Sequence, residues 1–485
     1  METKIHSVKY NFIMNFILTA SSFIFPLITF PYATRVLGVD YYGNVSFGQS
    51  VMSYFILISS LGIPSYGIRA CAKVRDDKKK LSQTTKELFY LSLIATVVVY
   101  VCFFLSLGII PKFAQNRELL IINCLSIILN TIGVQWLFSA IEQYTYITVR
   151  NISFKVITVL MMVAFVHSPD DYLIYALVCV LGASASNILN YFYMWKFVDF
   201  KQTTKCNFKP HLKPVFIFFA SSAAVNVYTS LDSVMLGFLT TDREVGLYTA
   251  SIRLKGVLVG LVNSLSTVLL PRMSYYVQNE MRDEYSRMLS KSFNFIMDLA
   301  LPLVIFFVIF GKESLILISG TQYADATLSM QIIIPTLLFI GLSTTISNQV
   351  LIPHNRESNV CVAVWASAIV DFVLNLFLIP LLGAAGASLA TLLAEIVNLV
   401  VQFVFAKELV IDSFKRISYI KILIPSIIAV VLSLGMTQFS LSNIFIDFIF
   451  KFILFFIVYG LSLLLIKEPL AKEIVDSYLV KLHLK

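Results

Sequence analysis

Runs of about 20 consecutive apolar residues, separated by short polar or charged segments, occupy most of the chain. A helix of about this length crosses the hydrocarbon core of a bilayer. The pattern therefore predicts an all-α polytopic membrane protein with about fourteen transmembrane helices. The predicted spans begin near Tyr10, Asn44, Glu87, Glu118, Tyr146, Asp171, Pro214, Leu247, Ser292, Ala326, Asn359, Gly383, Ile420 and Ile444.

Composition supports this prediction and excludes an ordinary soluble enzyme. Of the 485 residues, 58% are apolar and only 13% are charged, and the mean hydropathy is +0.82, whereas soluble domains are about one quarter charged. The six cysteines include no CxxC pair, so neither disulfides nor a zinc site is predicted. Because the sequence also contains no GxxxxGK[ST] nucleotide loop and no GxSxG nucleophile motif, we expect neither an enzyme nor a resident cofactor.

The distribution of positive charge predicts the orientation in the membrane. With the N-terminus in the cytoplasm, the cytoplasmic segments hold 29 of the 37 Lys and Arg residues, the opposite loops hold five, and three lie within spans. Cytoplasmic loops are enriched in Lys and Arg, so this orientation is favoured, and an even number of spans places both termini in the cytoplasm. The net charge of +9 thus reflects topology, and no nucleic-acid partner is expected.

Two similar segments indicate an internal repeat with an offset of 203 residues. Gly43 and Gly246 each follow a Leu-Gly pair, and each precedes an arginine, Arg69 or Arg272, by 26 residues. Six helices per half give both halves the same orientation, which defines a parallel repeat.

The repeat and the loop charges predict four regions. They are an N-terminal six-helix lobe over 1–200, a C-terminal six-helix lobe over 201–405, helices 13 and 14 over 406–466, and a cytoplasmic amphipathic tail over 467–485.

Several motifs resemble those of one known family, the O-antigen and capsule repeat-unit flippases of the MATE-like multidrug/oligosaccharidyl-lipid/polysaccharide (MOP) superfamily. The resemblance extends over nearly the whole chain. The motifs are Arg35–Gly38 followed by Gly43, Leu61–Arg69 with the basic segment Lys73–Lys80, Leu231–Gly237, Gly246–Ser251, Leu269–Ser274, Leu351–Pro353 and Gly383–Ala387.

This resemblance implies two six-helix lobes plus two extra helices in the cytoplasmic membrane of a bacterium. It also implies transport of an undecaprenyl-pyrophosphate-linked oligosaccharide repeat unit from the cytoplasmic to the outer leaflet, for surface polysaccharide synthesis. The implied partners are that glycan and the lipid bilayer, and docking of a polymerase or a chain-length regulator stays open.

Four cations are candidates for binding the phosphate or the glycan: Arg35, Arg69, Arg253 and Lys255. A pyrophosphate cannot enter hydrocarbon without partners, and the planar guanidinium of arginine donates two hydrogen bonds to phosphate at once. The resemblance supports Arg35, Arg69 and Arg253, because lipid II flippases of the superfamily use arginines on helices one, two and eight. The alternative for Arg35 and Arg69 is an interfacial anchor that snorkels.

A second group of polar residues is a candidate for ion coupling. It comprises Asp232, Asp371, Asn375, Thr391 and Glu395. Carboxylate, amide and hydroxyl oxygens are suitable ligands for Na+, and the first four of these residues form the hypothetical Na+ site, while the carboxylates are candidates for H+. Interhelical hydrogen bonding, or a salt bridge between Asp232 and Arg253, is the structural alternative.

Two other functions remain open at this point. A cation-coupled multidrug exporter of the same superfamily would need an apolar or acidic pocket for cationic drugs instead of arginines. A membrane-embedded polymerase, ligase or glycosyltransferase of the same lipid-linked sugar would be expected to carry a large outer loop, and none is predicted.

Overall fold

The computed structural model describes residues 8–200, 206–436, 443–469 and 472, and all regular elements in these ranges are helical. Helices satisfy their own backbone hydrogen bonds, as a lipid environment requires. Apart from 467–469 and 472, the predicted amphipathic tail lies outside the described residues.

The chain forms two compact units, Met1–Gly246 and Leu247–Lys485. A 3₁₀ turn at Pro169–Asp171 precedes α8 in unit 1, and a π-helical turn at Leu181–Ala185 joins α8 to α9. The helices of unit 1 are α1 (Val8–Ser60), α2 (Ile63–Ala72), α3 (Lys78–Ile109), α4 (Pro111–Gln115), α5 (Arg117–Gly133), α6 (Gln135–Ala140), α7 (Tyr144–Phe165), α8 (Tyr172–Val180), α9 (Ser186–Met194) and α10 (Lys209–Leu239).

Helix α11 (Asp242–Gln278) begins at the end of unit 1 and continues in unit 2. A 3₁₀ turn at Thr321–Ala326 precedes α14, and a π-helical turn at Ser347–Leu351 follows α15. The other helices of unit 2 are α12 (Arg282–Ile309), α13 (Gly311–Ser319), α14 (Thr327–Ile333), α15 (Thr336–Ile346), α16 (Glu357–Leu382), α17 (Ala384–Lys415), α18 (Tyr419–Met436) and α19 (Ile444–Leu465).

The number of spans agrees with the sequence pattern. In the described chain, 11 helical segments are long and apolar enough to cross a membrane, or 13 if each of two bent pairs is one span. The first segment, Ile13–Ala72, has 60 residues, and a helix of that length would extend about 90 Å, about three times the hydrocarbon thickness. Because Gly38 interrupts it with a non-helical φ of 72°, this segment supplies two spans, and the total reaches fourteen. The predicted polytopic helical architecture is thereby confirmed.

Two helices begin about three turns before the predicted start of their spans. Helix α3 begins at Lys78 instead of Glu87, and α12 begins at Arg282 instead of Ser292. The extra turns are charged, so hydropathy does not detect them. Asp77 caps α3, because its side chain accepts hydrogen bonds from the backbone N–H groups of Lys79 and Lys80. The hydrogen bond from the Lys80 N–H is the main reason that the pKa of Asp77 lies below its usual value.

The pattern of burial is that of a protein in lipid. Apolar side chains such as Val98 on α3 and Ile427 on α18 are exposed, while small polar side chains join helices inside each unit. In unit 1 the hydroxyls of Thr96 and Thr131 lie 2.6 Å apart. Interhelical hydrogen bonds of this kind are a common means of packing membrane helices.

Glycines allow backbones to approach closely within unit 1. A Cβ atom added at Gly43 would overlap the carbonyl oxygen of Asp242, and one at Gly246 would overlap the carbonyl oxygen of Val39. Each of the two glycines that define the sequence repeat thus packs against the backbone of the helix that contains the other. Backbone atoms cannot rotate away as a flexible side chain can, so glycine is required at both positions.

Substitution of Gly43 by alanine is therefore expected to destabilise the protein. Alanine favours a helix by about 1 kcal/mol relative to glycine, but overpacking costs about 1–3 kcal/mol, and here the overlap is with backbone. We expect a lower melting temperature in detergent and less protein in the membrane. Gly108→Ala is the matched control, because nothing lies within 4 Å of a Cβ at Gly108. Equal melting temperatures for the two variants would contradict the close approach.

Candidate functional site

Two of the predicted phosphate-binding arginines belong to unit 1. Arg35 lies on the first half of α1, one turn before the break at Gly38, and Arg69 lies on α2. Both side chains are exposed. Each is therefore placed at a helix end with its guanidinium accessible, which is compatible both with anion binding and with an interfacial anchor.

The other two predicted cations lie on α11 in unit 2. The Arg253 side chain is exposed and that of Lys255 is half-buried. Side chains two residues apart in a helix do not face each other, so a ligand bound by Arg253 from one side of α11 would not also meet Lys255. Arg253 is the stronger candidate because an exposed guanidinium within a span requires water or an anion nearby.

Four of the five predicted ion-coupling residues lie on α16 and α17, which pack closely against each other in unit 2. Asp371 and Asn375 of α16 are 3% and 0% exposed, and Thr391 and Glu395 of α17 are 8% and 1% exposed. Gly386 permits the close packing, since a Cβ there would overlap the carbonyl oxygen of Leu378.

The neighbours of Thr391 and the position of Asp232 indicate which oxygen atoms a bound cation could use. The Thr391 Oγ1 lies 3.2 Å from the Tyr248 hydroxyl and donates to the carbonyl of Ala387. Asp232, the fifth predicted residue, is 7% exposed on α10 and belongs to unit 1. Among the described residues, no three or more His, Cys, Asp and Glu side chains group to hold a metal ion. A Na+ site here would use amide and hydroxyl oxygens from Asn375 and Thr391 as well as carboxylates.

An interior charge pair on α19 contrasts with these candidates. Lys451 Nζ lies 2.7 Å from Asp447 Oδ2, one helical turn away, and both side chains are buried. Residues four apart share one face of a helix, so the two positions in the sequence predict a structural pair, and the contact confirms it. Because each charge neutralises the other inside the protein, the pair is not a candidate for binding the pyrophosphate.

In the described part of unit 1, two cavities with mixed apolar and polar walls were not predicted from the sequence. The smaller, of about 310 Å³, lies among α1, α2, α3, α5, α6 and α9. The larger, of about 650 Å³, lies among α1, α2, α5 and α10, and both cavities touch Ile56 and Asn130. Six of the polar side chains of the smaller cavity are Ser59, Ser60, Asn130, Thr131, Gln135 and Asn187.

Irregular backbone shapes these cavities. Helix α5 ends at Gly133, and Val134, with φ 33°, turns the chain before α6. Helix α10 bends by 55° between Lys209–Val227 and Thr229–Leu239. In membrane proteins such breaks are tolerated where the backbone lies against protein or a water-filled cavity, and π-turns such as Leu181–Ala185 are frequent at functional sites.

A hydrogen-bonded pair outside the spans joins loops of unit 1. Arg75 Nη1 donates to Glu142 Oε1, and Asn11 Nδ2 donates to Glu142 Oε2 at 3.4 Å. The hydrogen bond with Glu142 raises the pKa of the Arg75 guanidinium, so this guanidinium stays charged at physiological pH. Because both side chains of the ion pair are about one-third exposed, its effect on stability is small, and its role is to hold the loops together.

Many membrane-spanning helices around internal cavities are typical of membrane transporters, and solved structures of transporters have this fold. The chain is similar to a structure of the lipid II flippase MurJ in an inward closed conformation, with a TM-score of 0.75 and 16% identity, covering 96% of this chain and 100% of that one. It is also similar to an inward-facing multidrug resistance MATE family transporter of the MOP superfamily, with a TM-score of 0.61 and 13% identity, covering 81% of this chain and 96% of that one.

The sequence comparisons then give the family. Residues 8–277 match the model of the family described as "Polysaccharide biosynthesis protein", and the chain belongs to this family. Its relatives include proteins named "Putative O-antigen transporter" from Escherichia coli (strain K12) and Shigella dysenteriae. The first is 24% identical over 421 residues, covering 85% of this chain and 100% of the relative, and the second is 23% identical over 397 residues, covering 80% and 97%. These names denote transporters and not enzymes, in agreement with the sequence analysis.

Proposed function

We propose that this protein is a flippase that moves an undecaprenyl-pyrophosphate-linked oligosaccharide repeat unit from the cytoplasmic to the outer leaflet by alternating access. The product serves synthesis of a surface polysaccharide such as O-antigen, capsule or exopolysaccharide. The observation that carries the proposal is a cavity with hydroxyl and amide side chains in its wall, within the spanning helices of unit 1, in a member of a polysaccharide biosynthesis family.

The chemistry of the cavity suits a sugar headgroup better than a cationic drug. The residues that line both cavities include no charged side chain in the described chain, and they offer hydroxyl and amide groups. Serine and threonine hydroxyls both donate and accept, as do asparagine and glutamine amides, so they match the hydroxyls of a glycan. A cationic drug would instead favour a pocket with a carboxylate, and the described linings contain none.

In this proposal the cationic side chains bind the pyrophosphate. Arg69 lies on α2, a helix that contributes Ile63, Pro64 and Ile68 to the smaller cavity, and its exposed guanidinium is suitable for capturing a phosphate. Arg253 and Arg35 are the further proposed anion-binding residues, and Lys255, on another side of α11, is the alternative to Arg253. The isoprenoid chain stays in lipid, so only the headgroup crosses.

The orientation and the energetics are consistent with outward transport. In the orientation predicted from the positive charges, Ser60 and Gln135 lie toward the cytoplasmic side, where a substrate made in the cytoplasm would load. An inside-negative potential favours outward movement of an anion by about 2.3 kcal/mol per charge per 100 mV. If the headgroup crosses with its charge uncompensated, coupling to Na+ or H+ is therefore an addition to the mechanism and not a thermodynamic requirement.

The test is the leaflet distribution of lipid-linked sugar in cells with and without the protein. A membrane-impermeant sugar-labelling reagent applied to intact cells should label less lipid-linked glycan after depletion, while the total amount extracted from the cells rises. Re-expression should restore labelling. If sidedness is unchanged in cells that contain no second flippase, and if depletion instead increases sensitivity to cationic drugs, the proposal is overturned in favour of the multidrug exporter.

A further inference from the structure

Arg150 is a buried cation in a membrane-spanning helix. It lies on α7, its side chain is only 4% exposed, and no carboxylate of the described chain pairs with it. A charge within a span is costly unless it serves a binding site or meets a partner. Replacing buried ionic groups by apolar ones often stabilises a protein, so stability alone does not account for an arginine here.

The contacts of this guanidinium are to neutral side chains. Its Nη2 donates to Gln135 Oε1 at 3.2 Å and to Asn151 Oδ1 at 3.0 Å, and its carbon Cζ lies 5.8 Å from the ring centre of Tyr146. The other two nitrogens, Nε and Nη1, are buried and make no hydrogen bond to described residues. The main effect of the guanidinium is therefore to fix the side-chain oxygens of Gln135 and Asn151.

Gln135 connects Arg150 to the smaller cavity. Gln135 lines that cavity at the first turn of α6, directly after the backbone break at Val134. Because Arg150 occupies the Oε1 acceptor of Gln135, the two N–H donors at Nε2 are left for a ligand. Asn151, the other partner of Arg150, accepts from Ser186 Oγ at 3.5 Å, next to Asn187 on the cavity wall.

Trp136 adds an aromatic surface beside these donors. Its indole lies against Gly67 of α2, where a Cβ atom would overlap the ring, and it lines the same cavity. An apolar ring together with a few convergent hydrogen-bonding groups is the composition of a small-molecule site, and such sites have volumes of about 300 to 1,000 Å³.

We propose that the smaller cavity of unit 1 is a binding subsite for an uncharged sugar of the transported glycan, with Gln135 and Trp136 as ligand contacts and Arg150 as the positioning residue of Gln135. This inference rests on the proposed function and deepens it, because it separates the recognition of sugar from the capture of pyrophosphate. No charged side chain lines the cavity in the described chain, so its wall offers no direct ion pair to a ligand. A neutral sugar requires only the hydroxyl and amide groups that are present.

The experiment compares two ligands on the purified full-length protein in lipid nanodiscs. One probe is the lipid-linked glycan extracted from the cells that make it, and the other is undecaprenyl pyrophosphate without sugar. The sugar should increase the affinity of the unmodified protein. Gln135→Leu should weaken binding of the glycan form about tenfold, the equivalent of one lost hydrogen-bonding group, without changing binding of the sugar-free form.

Arg150→Met tests the positioning role. It should weaken binding of the glycan form alone, and it should cause no further loss when combined with Gln135→Leu, because both changes remove the same contact. Gln278→Leu is the matched control, since Gln278 is exposed at the end of α11, and melting temperatures identify variants that fail to fold. Arg150→Lys, which keeps the charge, should retain part of the affinity.

The outcomes separate the two proposals. If the unmodified protein binds neither probe, the flippase proposal and the subsite both fail. If it binds both probes equally, or if Gln135→Leu weakens both equally or neither, the sugar subsite is overturned while the flippase proposal stands. Additive losses from Arg150→Met and Gln135→Leu would remove the positioning role of Arg150.

Discussion

Simultaneous replacement of Arg69 and Arg253 by alanine is expected to abolish outward movement of the lipid-linked glycan while leaving the amount of protein in the membrane unchanged. Both guanidinium groups are exposed, so their loss removes little packing. The pyrophosphate, however, loses the bidentate donors that replace its hydration. Truncating one partner of a charge pair that is desolvated on binding costs about 2–5 kcal/mol, so loss of both should reduce transport below detection. The leaflet-labelling assay in intact cells measures this directly.

The control for this prediction is another exposed arginine. Arg282→Ala at the start of α12 removes the same side chain from a position that is a topology charge, and transport should persist. Single Arg69→Lys and Arg253→Lys variants show whether transport needs a bidentate guanidinium–phosphate contact or only a positive charge. Lysine keeps the charge but lacks the planar pair of donors. Full transport by the double alanine variant would remove the phosphate-clamp hypothesis and leave both arginines as interfacial anchors.

The fold was largely predictable because lipid imposes one strong rule on sequence. Apolar runs of bilayer length become helices, and the helices begin close to most of the predicted positions. The errors arise where this rule does not apply. The charged first turns of α3 and α12 extend beyond the predicted spans, and the 55° bend of α10 carries no proline at the break, so neither is visible in a hydropathy pattern. By contrast, Pro335 lies at the 42° bend between Thr321–Ile333 and Thr336–Leu351, as proline predicts.

The candidate site was less predictable, because hydropathy and charge identify spans and their ends but do not distinguish a site residue from a packing residue. Arg150 lies near the predicted cytoplasmic end of its span, where an arginine is expected for topology, so its burial gave no signal in the sequence. The cavity residues are serines, threonines and amides, which are equally common in ordinary contacts between membrane helices. Only the three-dimensional arrangement distinguishes Ser59 and Gln135, which line a cavity, from Thr96, whose hydroxyl meets that of Thr131.

Replacement of Asp371 by asparagine is expected to remove any stimulation of transport by a Na+ or H+ gradient, while transport driven by membrane potential continues. Asp371 is 3% exposed, and asparagine matches it closely in size, so packing is preserved while the negative charge and the proton-accepting group are lost. A buried carboxylate within a span is by default a candidate for ion or proton binding. The measurement is flipping in proteoliposomes in which the Na+ gradient, the pH gradient and the potential are imposed separately.

Helix α16 itself supplies the control, because Glu357→Gln makes the equivalent change at an exposed position in the first turn. Asn375→Ala, one turn from Asp371, separates the two cations. It removes an amide oxygen that a Na+ ion would use, but a proton bound to Asp371 needs no such ligand. Loss of Na+ stimulation in both variants would therefore identify a Na+ site, and loss of H+ stimulation in Asp371→Asn alone would identify a proton site. If a gradient stimulates the unmodified protein and Asp371→Asn to the same extent, the polar residues of α16 and α17 act in helix packing, and transport is coupled elsewhere.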